Sequence, residues 1–195
     1  ADTLTDARLQ SQFFERAVVM GSRGTGLGQF SKPRALAVDA SDNLYVVDMT
    51  ARVQKFTPSG AFTNFWQILE SDKGKPKGMD LDANGNIVVV EPHYTRVNHL
   101  SPDLKLVTRW GKPGTNEGEL AFPRGIAVNT QGEIIISEYS LVERVQRFSA
   151  SGEKWLGTFG KPGSGPGEFN RPEGVGTDAQ DRIYVADSCN HRIQV

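Results

Sequence analysis

A seven-residue segment that opens with proline recurs four times along this 195-residue chain, and it limits the fold more than any other feature. The copies lie at residues 33–39, 76–82, 123–129 and 172–178, so successive copies are offset by 43, 47 and 49 residues. Each copy ends in an aspartate or asparagine, namely Asp39, Asp82, Asn129 and Asp178. A period of this length indicates a repeat architecture in which each copy is one supersecondary unit packed on its neighbours.

The same signals follow every copy of the segment: a polar turn, a β-branched run closed by an acid, and an arginine-led strand. The closing acids are Asp48, Glu91, Glu138 and Asp187, and the arginines are Arg52, Arg96, Arg144 and Arg192. A further strand precedes the next linker, at residues 62–68, 106–110 and 155–159. Four short strands per repeat predict an all-β fold, a β-propeller of four-stranded antiparallel blades.

The phase of the repeats predicts the domain organisation. Residues 1–13 read as a polar N-terminal extension and residues 14–195 as one propeller domain, with repeats at about 21–68, 69–110, 111–159 and 160–195. The strand at residues 14–20 stands in the place of a fourth strand, so we expect it to complete the last blade, within one chain or by exchange between two. The side chains expected between the sheets are Leu36, Val38, Val46, Ile126, Val128, Ile135 and Val185.

The last copy carries a resemblance to a known family. Residues 160–194 read GKPGSGPGEFNRPEGVGTDAQDRIYVADSCNHRIQ. The order of glycine-rich linker, Pro-x-Gly segment, Ile-Tyr-Val-Ala-Asp strand and Asn-x-Arg-Ile-Gln strand resembles the NHL repeat, and the resemblance spans about residues 14–195. It implies a propeller that serves as an interaction platform. NHL propellers usually have six blades. Four copies therefore leave three alternatives: a four-bladed ring, a ring shared by two chains, or part of a longer protein.

Composition bears on partners and location. The formal net charge is −1, which gives no general attraction to nucleic acid or an anionic membrane, so we expect neither as a partner. No apolar run approaches the roughly 18 residues that a spanning helix needs. Cys189 is the single cysteine, so no disulfide can form within the chain. The polar opening ADTLTDARLQ is similar to the start of a mature exported protein, which favours a periplasmic or extracellular location.

The residue after each repeat proline is the leading candidate for binding. Some family relatives are zinc-dependent lyases whose zinc histidines resemble this position, and here it holds Arg34, Lys77, Arg124 and Glu173. The resemblance therefore implies three cations around one central opening, which would favour a small anionic molecule or an acidic peptide. The alternative is that these are solvated side chains at the starts of strands.

Three further residues break the repeat pattern on the rim where the post-proline positions are expected. They are His93, Tyr94 and Tyr139, and they complete the predicted ligand-binding set. The glycine-rich segments at 21–28, 111–118 and 160–167 precede strands instead of helices, so they are interpreted as links between blades and not as phosphate loops.

The recurring acids and arginines are interpreted as ion pairs within blades, with an acidic cation-binding ring as the alternative. No catalytic residue, metal ligand or cofactor is assigned. The sequence thus favours a non-catalytic scaffold that binds a protein, a peptide or a small anionic ligand and forms a homodimeric ring. The alternative function is a metal-dependent lyase or lactone hydrolase of propeller type.

Overall fold

The computed structural model describes residues 5–7 and 17–195, and in this part of the chain the regular structure is almost entirely β. Two short 3-10 helices, Pro92–Tyr94 and Ser188–Asn190, interrupt the strands. None of the described helices has the length and apolar character needed to cross a membrane. The strands in chain order are β1 (Thr5–Ala7), β2 (Ala17–Val19), β3 (Ser22–Arg23), β4 (Gln29–Phe30), β5 (Pro33–Val38), β6 (Leu44–Asp48), β7 (Arg52–Phe56), β8 (Phe62–Gln67), β9 (Gly78–Leu81), β10 (Ile87–Glu91), β11 (Arg96–Leu100), β12 (Leu106–Trp110), β13 (Pro123–Val128), β14 (Ile134–Glu138), β15 (Arg144–Phe148), β16 (Trp155–Phe159), β17 (Lys161–Pro162), β18 (Glu168–Phe169), β19 (Pro172–Thr177), β20 (Ile183–Asp187) and β21 (Arg192–Gln194).

Four antiparallel sheets form the blades of a propeller. Blade 1 is β5–β8, blade 2 is β9–β12, blade 3 is β13–β16, and blade 4 is β19–β21. The first strand of each blade packs against the first strand of the next, so β5, β9, β13 and β19 lie side by side around a central channel. The predicted all-β propeller with four repeats is confirmed. Blade 4 differs from the prediction because it has three strands among the described residues.

The described part of the N-terminal strand, residues 17–19, does not join the last blade within this chain. Ala17–Val19 pairs antiparallel with Thr5–Ala7 in a separate two-stranded sheet. Residues 14–16 of the predicted closing strand, and all of the predicted extension except residues 5–7, lie outside the described residues. Pairing of this strand with the last blade of a second chain stays a prediction.

Each blade buries apolar side chains on the faces that meet a neighbouring blade. Side chains alternate across a strand, so successive residues of one strand point to different neighbours. On β14, Ile134 and Ile136 pack toward blade 2, whereas Ile135 packs toward blade 4. Of the predicted core, Val46, Ile126, Ile135 and Val185 are buried, and Val128 packs partly buried against the core between blades 2 and 3.

The prediction of burial is wrong for two residues, which are exposed. Leu36 is 68% exposed and Val38 is 53% exposed, because both lie on the face of blade 1 that points away from blade 2. The face of blade 4 that points away from blade 3 carries Ile193, which is 62% exposed. An added Cβ at Gly176, on the same sheet, would meet open space. Within the described part of the chain, the first and last blades therefore each present an uncovered face.

The arginine-led strands fasten the glycine-rich linkers to the blades. The Arg144 guanidinium donates to the carbonyl oxygens of Thr115, Asn116 and Glu119, all at 2.9–3.0 Å. Two residues further on, Gln146 donates to the Glu119 carbonyl as well. The equivalent arginines bind the other two glycine-rich linkers in the same way, Arg52 through Thr25, Gly26 and Gln29, and Arg192 through Ser164, Gly165 and Glu168.

The predicted acid–arginine pairs form in three blades. Nε–oxygen distances are 2.8 Å for Arg96–Glu91, 2.7 Å for Arg144–Glu138 and 2.8 Å for Arg192–Asp187. In blade 1 the prediction is wrong. Asp48 accepts hydrogen bonds from the backbone of Ser31 and Thr50 instead, and the buried Nε of Arg52 has no hydrogen-bond partner among the described residues.

Candidate functional site

One mouth of the central channel is a cavity of about 320 Å³ that carries three cations. The inner strands of all four blades contribute to its wall, with Ala35 from blade 1, Ile126 from blade 3 and Val175 from blade 4. Arg34, Lys77 and Arg124 all line this cavity, together with Glu173. The four post-proline residues thus line one cavity, which is the arrangement that the family resemblance implied for the central opening. Their role in binding is a proposal.

The three cations differ in their surroundings. Arg34 is exposed, and its Nη2 contacts the sulfur of Met49 at 2.9 Å. Arg124 is held more firmly, since its Nη2 donates to Glu173 at 3.1 Å and its Nη1 donates to the Tyr139 hydroxyl at 3.3 Å. The Arg124 guanidinium also lies 5.2 Å from the centre of the Tyr139 ring. Glu173 and Tyr139 therefore orient Arg124 at the rim.

Lys77 is half-buried in the wall of the same cavity. Burial lowers the pKa of its amine, the positive charges of Arg124 and Arg34 lower it further, and Glu173 opposes the shift. Among the described residues, the amine makes no hydrogen bond or ion pair. The cavity thus carries three cations and one carboxylate, Glu173.

The floor of this cavity is backbone because two glycines let the inner strands approach closely. A Cβ added at Gly78 would lie 3.0 Å from the carbonyl oxygen of Arg124. At Gly125, a Cβ would lie 2.5 Å from the carbonyl oxygen of Glu173. The Ser137 hydroxyl fills the gap that remains, since it accepts from the Gly125 N–H and donates to the Glu173 carbonyl, both at 2.9 Å. Packing therefore requires the glycine of the Pro-x-Gly segment in blades 2 and 3.

His93 and Tyr94 lie outside the cavity. The exposed His93 ring packs edge-on against Phe122, with ring centroids 6.0 Å apart. The Tyr94 ring stacks on the Arg96 guanidinium at 4.3 Å, and its hydroxyl accepts from the backbone N–H of Lys73. Both residues pack against linkers between blades. Of the three pattern-breaking residues, only Tyr139 contacts a cation of the mouth.

The opposite mouth of the channel is acidic, and the sequence-based reasoning did not identify it. A cavity of about 670 Å³ is lined there by the residues that end the repeated segment, Asp39, Asp82, Asn129 and Asp178, and by Asp80. The side-chain oxygens of the four residues that end the segment accept from backbone N–H groups two and four residues later, as Asp39 does from Ser41 and Asn43. The aspartate or asparagine at the last position of each repeated segment was the sequence signal for this acidic mouth.

The carboxylates at this acidic mouth differ in pKa. For Asp178, partial burial acts to raise the pKa, but hydrogen bonds from Arg182, Tyr184 and the turn backbone outweigh it and lower the pKa to about 2. Burial raises the pKa of Asp80, although its carboxylate accepts from the N–H of Val128 and Leu81. Across the described ranges, no group of three or more His, Cys, Asp or Glu side chains is arranged to hold a metal ion.

The fold and the channel define a class, the β-propellers built from short sequence repeats. The NHL repeat model matches residues 169–195. The protein brain tumor of Drosophila melanogaster is 25% identical over 87 residues, which is 44% of this chain and 8% of that protein. Together with the four repeats, these matches confirm the predicted resemblance to NHL-repeat β-propellers.

Solved propellers of low sequence identity share the fold. Virginiamycin B lyase from Staphylococcus aureus is similar with a TM-score of 0.70 at 14% identity, over 98% of this chain and 59% of that one. A streptogramin B lyase gives 0.67 at 15%, over 97% and 54%. A Bacteroides thetaiotaomicron protein of unknown function gives 0.70 at 16%, over 99% and 53%. This chain therefore spans little more than half the length of these propellers, and at such identities the likeness shows the fold alone.

Proposed function

We propose that this chain is a non-catalytic NHL propeller module that binds a small anionic ligand, or an acidic side chain of a peptide or protein partner, at its basic mouth. The observation that supports this function is the convergence of Arg34, Lys77 and Arg124 on one cavity. A volume of about 320 Å³ is at the small end of the range for ligand sites, which favours a compact anion. Apolar walls around the cations strengthen their attraction for a carboxylate.

Citrate, a compact tricarboxylate, is a suitable probe of this site. We expect Arg34→Ala and Lys77→Met each to weaken citrate binding about tenfold, since a charge-assisted hydrogen bond contributes about 1.5–3 kcal/mol. Lys105→Met is the matched control, because Lys105 is exposed in the outer turn of blade 2. Isothermal titration calorimetry at two salt concentrations measures the effect, and added salt should weaken binding. Citrate affinity that is the same in all three variants would contradict the proposal.

The competing hypothesis is a metal-dependent lyase or lactone hydrolase of propeller type. In that case a divalent metal would polarise the substrate or activate water. Metal analysis of the purified protein separates the two hypotheses. We expect no divalent metal to stay bound in stoichiometric amount after gel filtration, and a retained metal would overturn the non-catalytic assignment.

The second part of the proposal is self-assembly. The uncovered faces of blades 1 and 4 carry the two kinds of side chain that pack together between neighbouring blades, large apolar residues on one face and small residues on the other. Leu36 and Val38 on blade 1 correspond to Met79 and Leu81 on blade 2, which pack against small inner-strand residues of blade 1, Ala35 and Ala37. On blade 4 the matching positions hold Gly174 and Gly176. Two chains joined through these faces would repeat the contact that already holds neighbouring blades together.

A further inference from the structure

Lys77 is the one amine among the three cations of the basic cavity, and an uncharged amine can also act as a nucleophile. It precedes β9, where its backbone N–H donates to the Val90 carbonyl at 3.1 Å and fixes the start of the inner strand. Its side chain lines the basic cavity between Arg34 and Arg124, with Met79 and Ile126 as apolar neighbours. An amine in such a place would contact a molecule bound in the cavity, and it is shielded in part from water.

Three other lysines of the chain are paired with carboxylates. Lys112 lies 2.6 Å from Glu119, Lys161 lies 3.3 Å from Glu168, and Lys55 lies 3.9 Å from Asp39. Burial lowers the pKa of the Lys77 amine, the positive charges of Arg124 and Arg34 lower it further, and Glu173 in the same cavity opposes the shift without an ion pair to the amine. A larger fraction of Lys77 is therefore uncharged near neutral pH than of an exposed lysine, and the uncharged amine is the nucleophilic form.

We propose that Lys77 is a reactive amine that condenses reversibly with small anionic aldehydes and 2-oxo acids, whose carboxylate is held by Arg34 and Arg124. This inference rests on the proposed function, because it uses the same anion-binding cavity. The Nζ lone pair attacks the carbonyl carbon to give a carbinolamine, and loss of one water forms the C=N bond of an imine. The step needs no oxidant or reductant. The proton that the ammonium group gives up returns when the imine hydrolyses.

Two features favour an anionic carbonyl compound over a neutral one. The cavity places two guanidinium groups on either side of the amine, and these attract a carboxylate whereas an uncharged aldehyde gains nothing from them. Bringing a carboxylate to the arginines also holds its adjacent carbonyl carbon near Nζ, which turns a bimolecular encounter into an intramolecular reaction. Selectivity for Lys77 should thus depend on the charge of the reagent.

Reductive trapping with glyoxylate, the smallest anionic aldehyde, tests the proposal. The intact protein is treated with glyoxylate and cyanoborohydride at neutral pH, and modified lysines are quantified by peptide mass spectrometry. We expect Lys77 to be labelled about tenfold faster than exposed Lys105, and the ratio to fall with acetaldehyde or in Arg34→Ala. The pH midpoint for labelling of Lys77 should lie below that of Lys105.

The outcomes separate this inference from the proposed function. If citrate binds with the expected dependence on Arg34 but glyoxylate labels Lys77 no faster than Lys105, the reactive amine is refuted and the anion site stands. Equal selectivity with glyoxylate and acetaldehyde would refute the role of the arginines in holding the reagent. If citrate does not bind and labelling is unselective, both proposals fail.

Discussion

Arg144→Ala will destabilise the fold by about 3–5 kcal/mol, whereas Arg34→Ala will cost less than about 1 kcal/mol. Arg144 is 7% exposed, and its guanidinium joins Glu138 on the neighbouring strand to the carbonyls of the linker that precedes blade 3. Its removal leaves the fully buried Glu138 without its cation and several backbone oxygens without a donor. Arg34 is exposed, and among the described residues its guanidinium makes one hydrogen bond, to the Met49 sulfur. Urea unfolding of the two variants measures the difference.

The pH dependence of the Arg144→Ala deficit identifies its cause. Burial raises the pKa of Glu138 even in the intact protein, where Arg144 and Gln146 counteract the shift. Without Arg144, the folded-state pKa of Glu138 should rise further above its unfolded value. The protonated folded form is then favoured, so stability is lost as pH rises through the folded-state pKa and recovered as pH falls. The deficit should therefore shrink in mildly acidic buffer. Equal unfolding midpoints for Arg144→Ala and Arg34→Ala at pH 7 would refute the assignment.

The recurrence of acid and arginine was enough to predict these pairs, but not the exception in blade 1. In blades 2, 3 and 4 the two residues are direct cross-strand partners, as Glu138 and Arg144 are. Asp48 and Arg52 are only four residues apart, and the pairing of β6 with β7 ends at Val47 and Val53. A shorter turn therefore removes the acid from the register, and register is a property of the paired strands that the sequence pattern shows only indirectly.

The repeat also predicted which residues share one end of the channel. The net charge of −1 gave no indication that one end is basic and the other acidic. Position two of each repeated segment and position seven lie at opposite ends of one inner strand, roughly 17 Å apart at the usual rise. Arg34 and Asp39 thus belong to different mouths, as do Lys77 and Asp82. Positive charges at one end of a strand and negative charges at the other cancel in the net charge. The basic mouth is therefore recognised only once the residues are assigned to positions along the strand.

Exposure of Leu36 and Val38 was the main failure of the predicted core, and its physical reason bears on assembly. The alternation that buries Ile126 and Val128 at the same positions of blade 3 requires a preceding blade, and the described residues place none against blade 1. Burial at an inner strand is therefore a property of the neighbouring sheet as much as of the sequence. Uncovered apolar faces of this kind are surfaces suited to packing against a further sheet, whether of the same protein or of a second chain.

We expect the purified chain to form a stable dimer with twice its 21.3 kDa mass, in which two sets of four blades share one ring. Light scattering at micromolar concentration measures this mass. Leu36→Asp combined with Val38→Asp should return it to one chain, because two carboxylates cannot be desolvated at the joined faces without a large cost. Both side chains are more than half exposed in the single chain, so the variant should still fold, which circular dichroism checks. Leu69→Asp is the matched control, since Leu69 is 89% exposed on the linker between blades 1 and 2. A mass of one chain for the unmodified protein rules out the two-chain ring.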